Sequence, residues 1–149
     1  MATIRPIRIA VIADTHDRLP DKVVEAIRPA EEIWHLGDVT SEAIIERLAA
    51  LGPRLRVVRG NCDENEDWPL TEMVELNAIR FCLIHIPPKI APQNIDVLLH
   101  GHTHVPRDEK LNGVRFLNPG TVGRANKGAP ASYAWLTVGE RLIWEVVRV

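Results

Sequence analysis

The first third of the chain alternates continuous apolar runs with amphipathic segments. Residues Ile7 to Ala13 are apolar apart from Arg8, which is typical of a strand buried on both faces. Residues Pro20 to Ile27 carry their apolar side chains on one face and predict a short helix. A strand at Glu32 to Leu36 and a helix at about Ser41 to Leu51 repeat the arrangement. The pattern predicts a βαβαβ unit at the start of the fold.

A third strand and a series of hairpins account for the rest of the chain. Residues Leu55 to Arg59 alternate arginines with apolar residues, so this strand is expected near an edge of its sheet. Antiparallel hairpins are expected to join Met73–Leu76 to Ile79–Ile84, Val105–Leu111 to Val114–Leu117, and Ala131–Val138 to Arg141–Val149. A further strand at Ile95–Leu99 follows a connection rich in proline. An Asn-Gly pair at 112–113 is a strong hairpin signal. The two halves together predict two packed sheets with helices on the outside.

The composition is close to the average of globular proteins. Hydrophobic residues make up 46% of the 149 positions and charged residues 26%, which argues against disorder and suits a single domain over residues 1–149. The net charge of −2 lacks the basic excess that binds duplex nucleic acid. Two cysteines are too few for a disulfide framework, and the first apolar run is too short for a signal peptide or membrane helix. We therefore expect a cytoplasmic protein without a membrane partner.

Residues that can carry chemistry lie where the predicted strands end. Asp14 and His16 follow the first strand, Asp38 follows the second and Asn61 follows the third. Open α/β sheets place their binding and catalytic groups at the carboxyl ends of strands. For Asp14, a role as the cap of the next helix explains the residue equally well.

The stretch VLLHGHTH, residues 97–104, holds the most concentrated chemistry. His100, His102 and His104 stand at alternate positions, and a strand would point such side chains to one face. Gly101 suits a sharp turn or a close approach of the backbone to a ligand. Imidazole binds zinc, manganese, iron and nickel, so the stretch predicts a metal site at the end of a strand. The alternative is a polar loop that happens to be rich in histidine.

The strand ends together supply more donors than one tetrahedral zinc ion requires. The set is Asp14, His16, Asp38, Asn61, His85, His102 and His104. It suits two divalent ions bridged by a carboxylate, the arrangement used in many phosphatases and nucleases. The bridge must be an aspartate, because only a carboxylate has two oxygens and a negative charge. His35 is expected in the core or behind a ligand rather than on a metal.

The same residues form a series of short motifs: DTH, GD, GNCD, a lone histidine and GHTH, followed by NPG. In this order they resemble the calcineurin-like metallophosphoesterases, particularly the small YfcE-type phosphodiesterase branch, from Arg8 to about Val138. The resemblance implies an α/β fold, namely a four-layer α/β/β/α sandwich of two mixed sheets flanked by helices.

The resemblance also implies the roles of these residues. Asp14, His16 and His104 would hold one metal ion. Asn61, His85 and His102 would hold the other, and Asp38 would bridge the two. Asp38, Asn61 and His85 are thereby assigned to catalysis as well. Manganese is the expected metal, and nickel, iron, zinc or cobalt can occupy the same site. The implied reaction is hydrolysis of a phosphate ester, a phosphodiester above all, by a metal-bridging hydroxide that attacks in line with the leaving oxygen.

Three features depart from the family pattern. His85 is followed by Ile86-Pro87-Pro88, where the family usually has a glycine after the histidine. The stretch from 86 to 101 is short, so a helix beside the site is expected to be missing. Cys62 stands where larger relatives carry a histidine that is a candidate general acid. Other side chains expected to support the site or contact the substrate are His35, Cys62, Asp63, Asn118, Thr121 and Arg124.

Other functions stay open from the sequence. A scaffold subunit of the retromer coat resembles the same fold and uses its surface for protein contacts, so a non-catalytic interaction scaffold is one alternative. A phosphomonoesterase, or a hydrolase of another bond, would need a similar site. The expected partner is a small phosphate ester, nucleotides included, and a homo-oligomer is compatible with the sequence.

Overall fold

The computed structural model describes residues 4–123 and 129–149. These residues form ten strands and two helices, which we number in chain order. The strands are β1 (Ile7–Ile12), β2 (Glu32–His35), β3 (Arg54–Val57), β4 (Thr71–Leu76), β5 (Ile79–Ile84), β6 (Val97–Leu99), β7 (Arg107–Leu111), β8 (Val114–Asn118), β9 (Ser132–Val138) and β10 (Leu142–Arg148). The helices are α1 (Asp21–Ile27) and α2 (Glu42–Ala49). The elements confirm those predicted from the periodicity, with small shifts at their ends.

The first sheet has the strand order β10-β9-β1-β2-β3. Strands β1, β2 and β3 are parallel, because each is joined to the next by a helix that crosses over the sheet. The C-terminal hairpin of β9 and β10 returns to this sheet, where β9 pairs antiparallel with β1. Strand β3 lies at an edge, as its alternating arginines predict.

The second sheet has the strand order β4-β5-β6-β8-β7. The hairpins β4–β5 and β7–β8 are antiparallel, and the Asn112-Gly113 turn lies between β7 and β8 as predicted. Strands β5, β6 and β8 run parallel, so this sheet is mixed, as the expected fold requires. The reason is the long irregular connection between β5 and β6, which carries the chain back to the starting edge, as a tight turn cannot.

The two sheets pack face to face over one hydrophobic core. Ile9 and Val11 of β1 meet Phe81 and Leu83 of β5 within a cluster of fully buried side chains. The ring of Trp34 on β2 stands edge-on to Phe81, with the ring centroids 5.4 Å apart. The expected sandwich of two mixed sheets is confirmed.

Both helices lie on the outer face of the first sheet. Val23 and Ile27 of α1 and Leu48 of α2 pack in one cluster with Ile12 and Ile33 of the sheet. Among the described residues, neither helix is long and apolar enough to cross a membrane.

An irregular segment covers the outer face of the second sheet, where the expected four-layer α/β/β/α sandwich would have helices; both described helices lie on the first sheet. Ile95 and Ala91 from the connection between β5 and β6 pack against Leu98 and Phe116 of the sheet. The expected absence of a helix between His85 and His102 is confirmed, and these positions are all described. The closely spaced prolines of this segment lack the N–H groups that a helix needs.

The parallel strands place their carboxyl ends at one rim of the sandwich. Strands β1, β2 and β3 end together in one sheet, and β5, β6 and β8 end together in the other. The loops that follow are joined by backbone hydrogen bonds, from Asp14 N to Gly37 O at 3.0 Å and from Gly101 N to His85 O at 3.1 Å. The side chains of the predicted site therefore start from a common, hydrogen-bonded rim.

Replacement of Phe81 tests the packing between the sheets. Phe81→Ala should lower the free energy of unfolding by about 3–5 kcal/mol, because the ring is fully buried and its removal leaves a cavity. Denaturant unfolding followed by tryptophan fluorescence measures the change. Met73→Ala, on the exposed surface of β4, is the control and should change stability by less than about 0.5 kcal/mol. Equal losses in the two variants would contradict this packing.

Candidate metal centre

Aspartates and histidines from the strand ends meet in one cluster. Two groups of three side chains have their ligand atoms within 4.8 Å of one another; they are Asp14, His16 and His104, and Asp38, His85 and His102. A third group joins His16 and Asp38 to Cys62. The cluster brings together residues that are up to 90 positions apart in the sequence, from Asp14 to His104.

The two carboxylates stand at the centre of the cluster. Asp14 Oδ1 lies 3.3 Å from His104 Nε2 and 3.8 Å from His85 Nε2. Asp38 Oδ2 lies 3.2 Å from His85 Nε2 and 3.5 Å from His16 Nε2. His16 reaches toward Asp14 as well, with its Nε2 3.7 Å from Oδ1. One oxygen of each aspartate therefore faces imidazole nitrogens of more than one histidine.

Two atoms of the cluster are polar, buried and without a hydrogen-bond partner among the described residues. They are Asp14 Oδ1 and His85 Nε2. The other ring nitrogen of His85 donates its N–H to the carbonyl of Leu36 at 2.8 Å, which leaves the lone pair of Nε2 directed into the cluster. Carboxylate and imidazole donors left open in this way fit divalent metals. The residues present therefore fit a metal site.

Asn61 adds an amide oxygen to the second group. Its Oδ1 lies 3.1 Å from His102 Nδ1, on the exposed side of the cluster. The backbone N–H of His102 donates to Asp14 Oδ2 at 3.1 Å, which ties the GHTH loop to the first strand end. All seven residues expected as ligands thus lie around one point, and their assignment to particular ions stays a prediction.

The two carboxylates differ in their electrostatic environment. Burial raises the pKa of Asp14 to about 6, although the charge on His85 opposes the shift. Burial also acts to raise the pKa of Asp38, but the close contact with His85 and the hydrogen bond from the backbone N–H of Cys62 prevail and lower it to about 2. The pKa of His85 is raised, since its contacts with Asp38 and Asp14 outweigh the effect of its own burial. Asp38 is therefore the better preformed anion of the two.

Five of the expected ligands have a left-handed backbone. They are Asp14, His16, Asp38, His102 and His104, with φ between 44° and 72°. Residues with a Cβ atom rarely adopt this conformation, and where they do so together the strain is typical of functional sites. The turn at each strand end thus orients a side chain that a regular strand or helix would direct elsewhere.

Glycines let the loops approach one another closely. A Cβ atom at Gly60 would lie 2.2 Å from Asp38 Oδ1 and 2.3 Å from its backbone nitrogen. One at Gly101 would lie 2.8 Å from Asp14 Oδ2, and one at Gly37 would lie 2.8 Å from His85 Nδ1. Of these glycines, only Gly101 was predicted from the sequence to allow a close approach of the backbone. The signal for Gly37 and Gly60 was their place as the first residue of the GD and GNCD motifs.

Asp63 fastens two of the loops behind the cluster. Its Oδ2 accepts hydrogen bonds from the backbone N–H groups of Asp38 at 2.9 Å and Gly60 at 2.8 Å. Its Oδ1 accepts a third, from Thr40 N at 2.9 Å. This carboxylate holds the backbone of Asp38 in place and does not face the cluster itself.

His35 lies behind the cluster and is fully buried. Its Nδ1 accepts the N–H of Gly37 at 3.1 Å, so its proton is on Nε2, which donates to Thr15 Oγ1 at 3.1 Å. The Thr15 hydroxyl in turn donates to the carbonyl of Val39 at 3.2 Å. Burial lowers the pKa of His35 to about 3, which keeps it neutral. Thr15 was missed in the sequence, although a hydroxyl between two site residues was a usable signal.

Asn118 and Thr121 brace the rim from the other side. Both are fully buried. The Asn118 amide donates to Gly101 O at 3.2 Å and to Thr103 Oγ1 at 2.9 Å. The hydroxyl of Thr121 donates to the carbonyl of Asp14 at 2.9 Å. Asn118 thus braces the GHTH loop and Thr121 braces the strand end at Asp14, and neither buried side chain lines the surface that a substrate would reach.

His100 departs from the expectation that three alternate histidines converge. It is buried away from the cluster, where its Nδ1 donates to Gly101 O at 2.9 Å and its Nε2 accepts from Arg107 at 3.2 Å. Burial lowers its pKa to about 4. The alternation fails because β6 ends at Leu99, so the residues beyond it no longer follow the period of a strand.

Cys62 and Arg124 are the last two side chains expected to support the site or contact the substrate. Cys62 is exposed beside the cluster. Partial desolvation of its thiol, together with the negative charge on Asp38, raises the pKa of the thiol. Arg124 lies outside the described residues.

Comparisons with known proteins find several similar chains. The model of the calcineurin-like phosphoesterase superfamily domain matches residues 7–141. A probable metallophosphoesterase of Methanothermobacter thermautotrophicus is 34% identical, over 94% of this chain and 91% of its own length. Phosphodiesterase YfcE of Escherichia coli is 31% identical, over 87% of this chain and 86% of its own.

A solved structure of a protein that is not named a phosphoesterase has a similar fold. Vacuolar Protein Sorting 29 from Cryptosporidium parvum superposes with a TM-score of 0.83 at 23% identity, and the match covers 97% of this chain and 92% of that one. At this level of identity the likeness shows the fold alone.

Replacement of Gly60 tests the close approach of the loops. Gly60→Ala should weaken manganese binding about 10- to 100-fold, because the added methyl group would displace Asp38. Isothermal titration calorimetry measures the affinity. Gly139→Ala is the control, since its Cβ would meet Pro6 at an ordinary 3.5 Å. Wild-type manganese affinity in Gly60→Ala would contradict the proposed crowding.

Proposed function

This chain belongs to the calcineurin-like phosphoesterase superfamily, and we propose that it hydrolyses phosphate esters, phosphodiesters above all, with two divalent metal ions. The observation that carries the proposal is the pair of ligand groups that meet around Asp38 and Asp14. The buried, unpartnered Asp14 Oδ1 and His85 Nε2 support it, since a folded protein rarely leaves such atoms open without a ligand.

In this proposal Asp14, His16 and His104 hold one ion. Asn61, His85 and His102 hold the other, and Asp38 contacts both. The lowered pKa of Asp38 supports the bridging role, because a carboxylate that stays ionised can attract two cations. Manganese is the metal we propose first, with nickel, iron, zinc or cobalt as substitutes.

Two ions held there would offset the charge on the phosphoryl oxygens and lower the pKa of a bound water toward neutrality, which supplies a nucleophile for in-line attack. The chain positions these partners. His85 keeps its proton on Nδ1 through the bond to Leu36 O, so Nε2 stays available as a donor of its lone pair. Cys62 N holds Asp38 Oδ1 at 2.8 Å and thereby fixes the direction of Oδ2. His16 and Asn61 are the exposed members, on the side from which an ester would approach.

A diester is preferred over a monoester for two reasons. The relative from Escherichia coli is named a phosphodiesterase. In addition, the stretch between His85 and His102 lacks the helix that is usual in the family and forms an irregular segment instead, which leaves room for a second ester substituent. We propose a small phosphate ester as substrate, with nucleotides in this class, and a single domain that acts in the cytoplasm.

A protein-interaction scaffold is the competing function. The similarity to Vacuolar Protein Sorting 29 supports it at the level of the fold. The complete set of ligands favours hydrolysis, because a scaffold has no need of open carboxylate and imidazole donors at one point.

Metal removal is the direct test. Activity on bis(4-nitrophenyl) phosphate should disappear after chelation and return when manganese is added, because both ions are required. A colorimetric assay of nitrophenol release on metal-free and reconstituted protein measures it. Hydrolysis that persists in protein shown by elemental analysis to be metal-free would contradict the proposal.

Asp38 should be harder to replace than any single histidine. Asp38→Ala should bind fewer than two manganese ions per chain and lose more activity than His16→Ala, because both ions lose a ligand and their mutual repulsion is no longer offset. Elemental analysis and the same assay measure the two effects. Asp67→Ala, an exposed carboxylate away from the cluster, is the matched control. Two ions per chain in Asp38→Ala would show that Asp38 is not the bridge.

A further inference from the structure

An apolar cavity adjoins the metal centre where the two sheets meet. Its volume is about 400 Å³, and it lies between the chain after β3, the start of β4 and the end of β5. The surface of its wall is mostly apolar, and Leu70, Ile84 and Ile86 are its apolar side chains. This volume and lining are typical of sites that bind small organic groups.

The cavity shares residues with the metal centre. Asn61 and His85, both expected metal ligands, form part of its wall. A phosphoryl group held at the metal centre would therefore have the cavity directly beside it. The position is that of a subsite for whatever is attached to the phosphorus.

Two aliphatic side chains are left exposed at this place. Leu70 is 58% exposed and Ile86 is 49% exposed. Ile86 is also where the chain departs from the family pattern, and Pro87 after it restricts the backbone that presents it. The exposed surface is thus held in a defined position.

The positively charged side chain of Arg59 also forms part of the cavity wall. Arg59 is partly buried, and the structure gives its guanidinium no hydrogen bond or ion pair among the described residues. The neighbouring Arg56, by contrast, is paired with Glu32 and Glu72. An unpaired arginine beside an apolar wall suits an organic anion better than an uncharged peptide.

We propose that this cavity is the substituent-binding subsite of the enzyme and that it selects phosphate esters whose organic group is aromatic or otherwise bulky and apolar. The phosphoryl group lies at the metal centre, and the apolar group lies against Leu70 and Ile86. Arg59 adds favourable charge for the anion. This inference rests on the proposed function, whose site it extends.

Binding of two phosphonates tests the subsite without relying on turnover. Phenylphosphonate and methylphosphonate carry the same anionic group and differ only in the organic substituent. Phenylphosphonate should bind manganese-loaded wild-type protein about tenfold more tightly by calorimetry. In the double variant Leu70→Ser/Ile86→Ser this ratio should fall to about one, whereas methylphosphonate should bind as before. Ile90→Ser, at a position that is 83% exposed and outside the cavity, is the control and should keep the ratio.

A second measurement uses the wild-type protein loaded with zinc, which is diamagnetic and leaves the methyl signals near the site sharp. Phenylphosphonate should shift the methyl NMR signals of Leu70 and Ile86 and leave those of Ile90 unchanged. Equal affinities for the two phosphonates in the wild type, or a ratio that survives the double substitution, would overturn the subsite. Selective phenylphosphonate binding in a protein that hydrolyses no ester with manganese would instead overturn the proposed function and leave the subsite standing.

Discussion

The burial of two carboxylates at one point is the constraint on which the rest of the structure depends. Asp14 is fully buried and Asp38 almost so, and both direct an oxygen at His85 Nε2. Like charges buried together are unfavourable unless cations or hydrogen-bond donors balance them. Backbone N–H groups of Cys62 and His102 supply part of that balance. A divalent cation is a partner that fits the remaining donors, so the proposed metal binding would also order this rim.

The backbone bears the cost of bringing these groups together. Asp14 and Asp38 adopt left-handed conformations, and Gly60 and Gly101 leave no space for a methyl group beside them. Such strain persists only where the surroundings determine it fully. Here the surroundings are six parallel-strand ends and the bonds that join their loops, among them the three that Asp63 accepts. The rigid sandwich therefore stabilises an arrangement that the loops would not keep alone.

The rim around the metal centre is asymmetric in its chemistry. On the side of Cys62 a cavity of about 450 Å³ is lined by acidic side chains, including Asp63 and Glu64. On the side of His85 the wall is apolar and carries Arg59. The anionic ester proposed as substrate would be repelled from the first side and attracted to the second. The electrostatics and the apolar surface thus favour the same orientation of a bound substrate.

The sequence by itself determined the elements, the donors and their position at strand ends, because periodicity and turn residues act locally. It could not determine which donors converge. His100, His102 and His104 stand at alternate positions, but His100 is buried away from the other two. The reason is that β6 ends at Leu99, so the residues after it do not follow the period of a strand. Nor could it determine that β6 and β8 are parallel, or that β9 returns to pair with β1. Those pairings depend on which apolar faces pack together across the core, and the same long-range packing brings Leu70 and Ile86 to one cavity wall.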